Sequence, residues 1–475
     1  MKRSLFLTIP ILPLLAGCTV GPNYTPPVAT APENWVEPDS ALATASSPVI
    51  RDWWSSFNDP VLNGLVERAI AENHDLRIAA ARVREAMAQR GVAASEFGPR
   101  VDGVGSGSRS RSSENFGRIF DDPETNDFQA GFDMSWELDF WGRIRRSVES
   151  ADADIGAAVS DRDAVMVTLL GEVGRNYAEL RGFQQRRLVT INNIQSQKSA
   201  LDLTQKRFDA GLTTELDVQQ ALTQLSTTRS NLPTLEAGAR RAIYRLSLLV
   251  GREPAALLPE LTTEAPIPGI SQPAALGMPS DLLRRRPDIA AAERRLASAT
   301  ARIGVATADF FPRFDLAGAL GLRSDRIGDW FESDSRYWSI GPGFRWPILD
   351  WGRIRSNVRV QDARSERALI EWEQSVLKAL EETESALTDY TSENARATAL
   401  QEAVDASRRA VALAEQQYQS GLRDFLNVLT TQRAQFEAED QLVASRQRVA
   451  TNLVAVYKAL GGGWEPVPSD TAQAK

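Results

Sequence analysis

The sequence predicts a mainly α-helical chain with a small membrane β part, made of two repeats of helix, strand, strand, helix and helix. Three observations predict it. Landmark segments recur in the same order about 210 residues apart, the mark of an internal duplication. Three stretches alternate apolar and polar residues with a period of two. Two further stretches, each roughly 67 residues long, contain no proline and carry apolar residues at helical spacing.

The duplication rests on three matches. Val92 to Asp102 reads VAASEFGPRVD and returns as VATADFFPRFD from Val305 to Asp315. Trp141-Gly142-Arg143-Ile144-Arg145 returns as Trp351-Gly352-Arg353-Ile354-Arg355. Phe208-Asp209-Ala210-Gly211-Leu212 returns as Tyr418-Gln419-Ser420-Gly421-Leu422. The first repeat is placed at residues 60–278 and the second at 279–463, with a tail at 464–475.

Each repeat opens with a helix. Leu62, Leu65, Val66, Ala69, Leu76, Ala80 and Val83 form one apolar stripe, and Pro99 ends the helix that starts near Pro60. The second repeat does the same from about Pro279 to Phe311, before Pro312. Strands follow at about 99–113 and 127–140, then at 312–325 and 336–349. From Asp127 to Phe140 the alternation is nearly complete. Phe128, Phe132, Met134, Trp136 and Leu138 fall on one face, and Asp127, Asp133, Glu137 and Asp139 on the other. The second repeat opposes Trp338, Ile340, Phe344 and Trp346 to Arg345, and Phe314, Leu316 and Leu320 to Asp315.

Strands of about 10–14 residues are long enough to cross a bilayer at a tilt. Four cannot close a barrel, and open edges in lipid cost several kcal/mol per unpaired group. The strands must therefore be pooled among copies in a cyclic oligomer. Asp127, Asp133, Glu137, Asp139, Asp315 and Arg345 would then line a wet lumen.

Long helices continue each repeat at about 142–208 and 352–418, on the order of 100 Å each at 1.5 Å per residue. Helices of this length need a packed seam. Return helices are expected at 215–250, kinked by Pro233, and at 424–460. Proline-rich segments at 19–50 and 254–279 read as extended chain wrapping the helical body.

The amino terminus reads as a targeting signal over residues 1–17. Lys2 and Arg3 precede an apolar run from Leu5 to Leu15, too short to span a bilayer. The run closes on Leu15-Ala16-Gly17-Cys18, and the Cys18 thiol is a candidate for a diacylglyceryl group, with residues 18–59 as a lipidated extended segment.

Bulk composition removes several function classes. The net charge of −8 disfavours nucleic acid as a partner. One cysteine and one histidine, His74, make a metal cluster or a Ser-His-Asp triad a poor reading. No phosphate loop and no nucleophile–base spacing is present, so no enzyme and no cofactor are expected.

The chain resembles the outer-membrane factor family, the TolC-like ducts, and most its lipidated NodT-type branch serving resistance-nodulation-division efflux pumps. The resemblance is carried by Gly21-Pro22-Asn23-Tyr24, by Trp53-Trp54-Ser55-Ser56-Phe57-Asn58-Asp59-Pro60, by the segment from Pro279 to Ile289 that includes Arg284-Arg285-Arg286, and by both Trp-Gly-Arg segments. It implies a homotrimer with a shared 12-stranded barrel continued by an α-helical barrel in the periplasm. It also implies a passive exit duct for drugs or other small molecules. The implied partners are a periplasmic adaptor (membrane fusion protein), an inner-membrane proton-driven transporter and outer-membrane lipid. Thr19 after the cysteine favours the outer membrane by the same resemblance.

Two helix–turn–helix tips are expected to meet the adaptor: Gly211, Leu212, Thr213 and Thr214 in the first repeat, Gly421 and Leu422 in the second. The same residues suit plain turn and cap chemistry. The resemblance makes Tyr418 and Arg423 gate candidates. The family's acidic positions read here as Asn427 and Thr430, so Asp424 or Asp217 is the substitute acid. The Arg284–Arg286 run reads as an ion-paired helix start. Other readings are a duct for metal-ion efflux or type I protein secretion, and, in a different class, a lipid-anchored periplasmic coiled-coil scaffold. Conductance in planar bilayers separates duct from scaffold.

Overall fold

The computed structural model describes residues 19–28, 32, 35–36, 51–113, 115, 124–269 and 285–465. Cys18 and the signal segment lie outside the described residues. The chain divides into two compact units. The first takes in residues 1–28, 82–159 and 291–372, and the second residues 29–81, 160–290 and 373–475.

The first unit holds the sheet. Strands β1 (Arg100–Arg111), β2 (Glu124–Leu138), β3 (Arg313–Ser324) and β4 (Arg336–Arg345) pair antiparallel in the order β1-β2-β3-β4. Register places Gly103, Phe132, Leu320 and Trp338 in one row across the four strands. The next row, on the opposite face, is Asp102, Asp133, Ala319 and Ser339. Phe132, Leu320 and Trp338 are 56%, 60% and 77% exposed, so nothing among the described residues covers the apolar face. β4 stops at Arg345, short of the expected 349, because Pro347 supplies no donor for a ladder.

Helices α1 (Pro60–Glu72) and α2 (His74–Ser95) replace the single helix expected before Pro99. Asn73 makes the break. It sits between them with ψ 132°, its Nδ2 donates to Leu249 O at 2.8 Å, and its Oδ1 accepts from Leu76 N at 3.0 Å. The two 67-residue helices are α3 (Arg143–Asp209) and, in the second repeat, α8 (Arg353–Gln419). The first return segment is also two helices, α4 (Glu215–Ser230) and α5 (Leu232–Leu249). Pro233 opens α5, where a missing N–H costs nothing, so it starts a new helix rather than kinking one. A helical turn α6 (Leu258–Leu261) lies in the proline-rich linker. α7 (Pro287–Ala308) opens the second repeat within the described residues, and α9 (Phe425–Ala459) is its return helix. No helix among the described residues is long and apolar enough to cross a membrane.

The core of the second unit explains the Trp-Trp-Ser-Ser-Phe-Asn-Asp-Pro segment. Trp53 is 1% exposed and stacks on Tyr457 at 5.2 Å between ring centroids, with Trp54 and Phe57 edge-on. Asp59 caps α1, its Oδ1 accepting from Val61 N and Leu62 N at 2.9 and 3.2 Å, while Oδ2 accepts from the buried Tyr177 hydroxyl at 2.5 Å. Burial first, and then the Asp59 bond, push the Tyr177 hydroxyl well above its usual range. Further along, Arg186 forks onto Asp440 with two bonds of 2.8 Å, and Glu439 accepts from Asn193 and Arg408 at 3.0 and 2.9 Å. Such bidentate and charge-assisted bonds fix how the long helices face one another.

Candidate channel wall and helix-turn tips

The strand–helix junctions repeat closely. Trp136 Nε1 donates to Phe97 O at 2.8 Å, and its counterpart Trp346 Nε1 donates to Phe310 O at 3.0 Å. Gly142 and Gly352 both carry positive φ, 78° and 85°, where the strand turns into the long helix. Each helix is capped by an aspartate. Asp139 accepts from Ile144 N and Arg145 N, both at 3.0 Å, and Asp350 from Gly352 N and Ile354 N at 3.0 and 2.9 Å. Asp139, expected on the wet strand face, thus lies one residue past β2 and satisfies a helix terminus.

The other expected lumen residues stand on the face opposite Phe132. Asp127 binds Arg323 through two bonds of 2.9 Å. Glu137 takes Arg143 at 2.7 and 3.0 Å, and the same guanidinium reaches Glu96 at 2.6 Å. Asp315 lies opposite Glu137 in the β2–β3 ladder, and Arg345 opposite Arg313, which is itself paired with Asp309. Among the described residues Asp133, Asp315 and Arg345 make no ion pair, which leaves their charges open to whatever fills the space beside the sheet.

Residues 20–23 are held at the first junction. Val20 N donates to Trp141 O at 3.1 Å. Arg146, 3% exposed, donates to Val20 O, Gly21 O and Asn23 Oδ1 at 3.1, 3.3 and 2.7 Å. Gly21 has φ 87°, and a Cβ there would sit 2.4 Å from Gly304 Cα. The Gly-Pro-Asn-Tyr segment is therefore packed by its glycine and held by Arg146. The second repeat has Ser356 in place of Arg146, and a Cβ on Gly352 would meet nothing. Residues 20–23 dock where strand becomes helix, and further along the same segment Val36 N donates to Glu384 Oε1 on α8 at 3.0 Å.

The tips form in the second unit with equal regularity. Gly211 (φ 71°) and Gly421 (φ 74°) end α3 and α8. Leu212 N reaches back to Arg207 O and Leu422 N to Gln417 O, at 2.8 and 2.9 Å, the six-residue closure that a left-handed glycine permits. Asp217 accepts from Thr214 N and Thr214 Oγ1 at 3.3 and 3.1 Å, and from the Thr213 hydroxyl. Asp424 stands at the N-cap position of α9, where its side chain makes no capping bond and accepts from Asn427 Nδ2 at 2.5 Å. Of the two candidate gate acids, Asp217 thus already serves a helix start. Arg423 is exposed and makes no hydrogen bond or ion pair among the described residues.

Tyr418 is 4% exposed, packed with Phe425, Val428 and Leu429, and its hydroxyl has no hydrogen-bond partner among the described residues. It contacts Arg207, which the sequence reasoning missed. The guanidinium lies 4.6 Å from the ring centroid, and Nη1 donates to Tyr418 O at 3.0 Å. The signal was present in the repeat comparison, where Arg207-Phe208 stands against Gln417-Tyr418: the cation lies in one copy and the phenol in the other. Arg286, from the expected arginine run, is buried and paired with Asp288 and Glu382 at 2.6 and 2.8 Å. It also donates to Ala459 O at 2.9 Å, so it closes the repeat onto the end of α9. His74 is an exposed residue at the start of α2.

Known proteins agree with this architecture. The family described as "Outer membrane efflux protein" matches residues 65–252 and 278–462. The chain is 30% identical over 455 residues to "Nodulation protein T" of Rhizobium leguminosarum bv. trifolii, covering 96% of each. It is 32% identical over 458 residues to "Pyoverdine export outer membrane protein OpmQ" of Pseudomonas aeruginosa, covering 95% of each. The solved outer-membrane channel OprN superposes with a TM-score of 0.89 at 40% identity, covering 94% of this chain and 100% of that one. Channels of this family are trimeric, extend into the periplasm, and work in tripartite pumps with an adaptor and an inner-membrane transporter. The chain belongs to the outer membrane efflux protein family and is the outer-membrane channel component of an efflux pump, not an enzyme.

Proposed function

We propose that three copies form a passive exit duct for small organic molecules, fed by a periplasmic adaptor and a proton-driven inner-membrane transporter. The observation that carries it is the sheet. Its apolar row of Phe132, Leu320 and Trp338 is exposed, its opposite face bears Asp133, Asp315 and Arg345, and both edges are open. A lipid-facing exterior and a wet interior need that combination. In this reading Asp127, Asp133, Glu137, Asp315 and Arg345 line the lumen, and Asp139 serves the junction. The tips at Gly211–Thr214 and Gly421–Leu422 meet the adaptor. Arg423, unpaired among the described residues, closes the resting tip against a neighbouring protomer, with Asp424 or Asp217 as the acid.

Cys18 carries the lipid in the same reading. Thr19, the next residue, packs on Gly142 at the strand–helix junction, where a Cβ on the glycine would come within 2.8 Å of Thr19 Cγ2. That junction is where a barrel would leave the inner leaflet. Purified protein reconstituted in planar bilayers tests the proposal. Discrete conductance steps are expected; soluble helical rods without conductance would favour the scaffold reading.

A further inference from the structure

We infer that Tyr337, laid flat across paired glycines on the wet face of the sheet, is a stacking site in the duct wall for planar aromatic cations. The site has this role only in the duct proposed above, so the inference rests on that reading.

The register builds the platform. Gly131 of β2 pairs with Gly321 of β3, and Gly321 pairs with Tyr337 of β4, so the three form one row. That row lies on the face opposite Phe132, Leu320 and Trp338, the face that also carries Asp133. A glycine inside a strand has no side chain to pack and often marks a place where another group comes close. Here the group is the Tyr337 ring. A Cβ on Gly321 would sit 3.0 Å from Tyr337 Cε1, and a Cβ on Gly131 would sit 3.1 Å from the Tyr337 hydroxyl. The side chain therefore leaves β4, crosses β3 and ends over β2, where Gln129 Nε2 donates to its hydroxyl at 2.6 Å. Held at both ends, the ring lies along the wall instead of standing into the lumen. The residue is half-buried: the glycines cover the side toward the sheet, and part of the ring stays open.

A ring that covers strand glycines stabilises a sheet whether or not it binds anything. Two features point to a ligand as well. The ring is not a product of the duplication, because aligning Trp346 on Trp136 sets Asp127 against Tyr337. The charges around it also favour one sign. Arg323, two residues from Gly321 on the same face, is held by Asp127 through two bonds of 2.9 Å. Asp133, two residues from Gly131, makes no ion pair among the described residues. The face of an aromatic ring attracts cations through its quadrupole, and a carboxylate beside it adds to the attraction. A planar aromatic cation uses both, its ring on Tyr337 and its charge toward Asp133. An aliphatic cation gains the charge alone. Three copies set three such platforms around the lumen.

Current block in planar bilayers tests the site. Ethidium, a planar aromatic cation, should block the parent duct at lower concentration than tetraethylammonium, which has no ring. This comparison needs no variant, and equal block by the two cations overturns the stacking site. Tyr337→Leu should need about fivefold more ethidium for half-block, with its response to tetraethylammonium unchanged. Tyr337→Phe keeps the ring and loses only the bond to Gln129, so it should stay within about twofold of the parent. The same ethidium half-block in parent and Tyr337→Leu overturns the stacking site and leaves the duct standing. A parent that forms trimers but passes no current overturns the duct reading itself.

Discussion

Arg207, at the end of the first repeat's long helix, lies over the ring of Tyr418 at the end of the second repeat's, 4.6 Å from its centroid, and donates to its carbonyl. This pair ties the two helix ends together inside one chain. The Tyr418 hydroxyl itself has no hydrogen-bond partner among the described residues.

The pair divides the tip residues into two classes. Tyr418→Phe removes a buried hydroxyl that bonds to nothing among the described residues, so its resting conductance should stay near that of the parent. Arg207→Gln removes a cation–π contact and a charge-assisted bond, together about 1–2 kcal/mol, and should loosen the tip. Arg423→Ser should raise the resting single-channel conductance and the leak of large antibiotics. Equal conductance of parent and Arg423→Ser in bilayers would move the gate away from this turn.

The two strand faces should tolerate change differently. Phe132→Lys places a charge on the lipid side, at a cost of roughly 2–4 kcal/mol near mid-bilayer, and should cut trimer yield. Asp133→Asn should assemble normally and shift ion selectivity at most. Equal trimer yields for the two variants would reverse the faces.

For the anchor, Cys18→Ser should leave the precursor unprocessed or the protein unlipidated, read by mass spectrometry of the amino terminus. Arg146→Ala should keep the lipid but free residues 19–24 from the junction, seen as protease sensitivity there. Efflux should survive both in part, because the barrel holds the membrane independently.

Replacing Trp53 by alanine should destabilise the second unit by about 3–5 kcal/mol, since its ring fills the space among Trp54, Phe57 and Tyr457. Thermal denaturation followed by circular dichroism checks this.

Acid should weaken the helical unit through Glu172. Burial raises its carboxyl pKa, but Arg175 and Arg245 outweigh burial and hold it below the ordinary value of 4.5. A depressed carboxyl stabilises the fold above the ordinary value and loses that contribution as pH falls through its folded value. Glu172→Gln should therefore flatten the loss of thermal stability below about pH 4.5. An unchanged pH profile would show the ion pairs contribute nothing.

Much of the fold was legible because it is periodic. The alternation from Phe128 to Leu138 announced a strand, the proline-free runs announced α3 and α8, and Gly211 and Gly421 announced turns. The break at Asn73 was not legible, because it depends on where a distant residue sits: Asn73 breaks its helix by bonding to Leu249 O. Asp139 fits the strand's polar parity, yet Ile144 and Arg145 need an acceptor more than the lumen needs a charge. Arg207 escaped notice because its partner lies 211 positions away.

Arg146 has a further consequence for a chain whose halves are so alike. A duplicated protein offers its own amino terminus two nearly identical berths, one beside Gly142 and one beside Gly352. Ser356 has no guanidinium with which to grip a backbone, so only the first berth can hold it. A single unmatched arginine thus gives the chain a sense of direction: it labels which half is first. Around a trimer it sets these docked segments evenly, one to every second repeat.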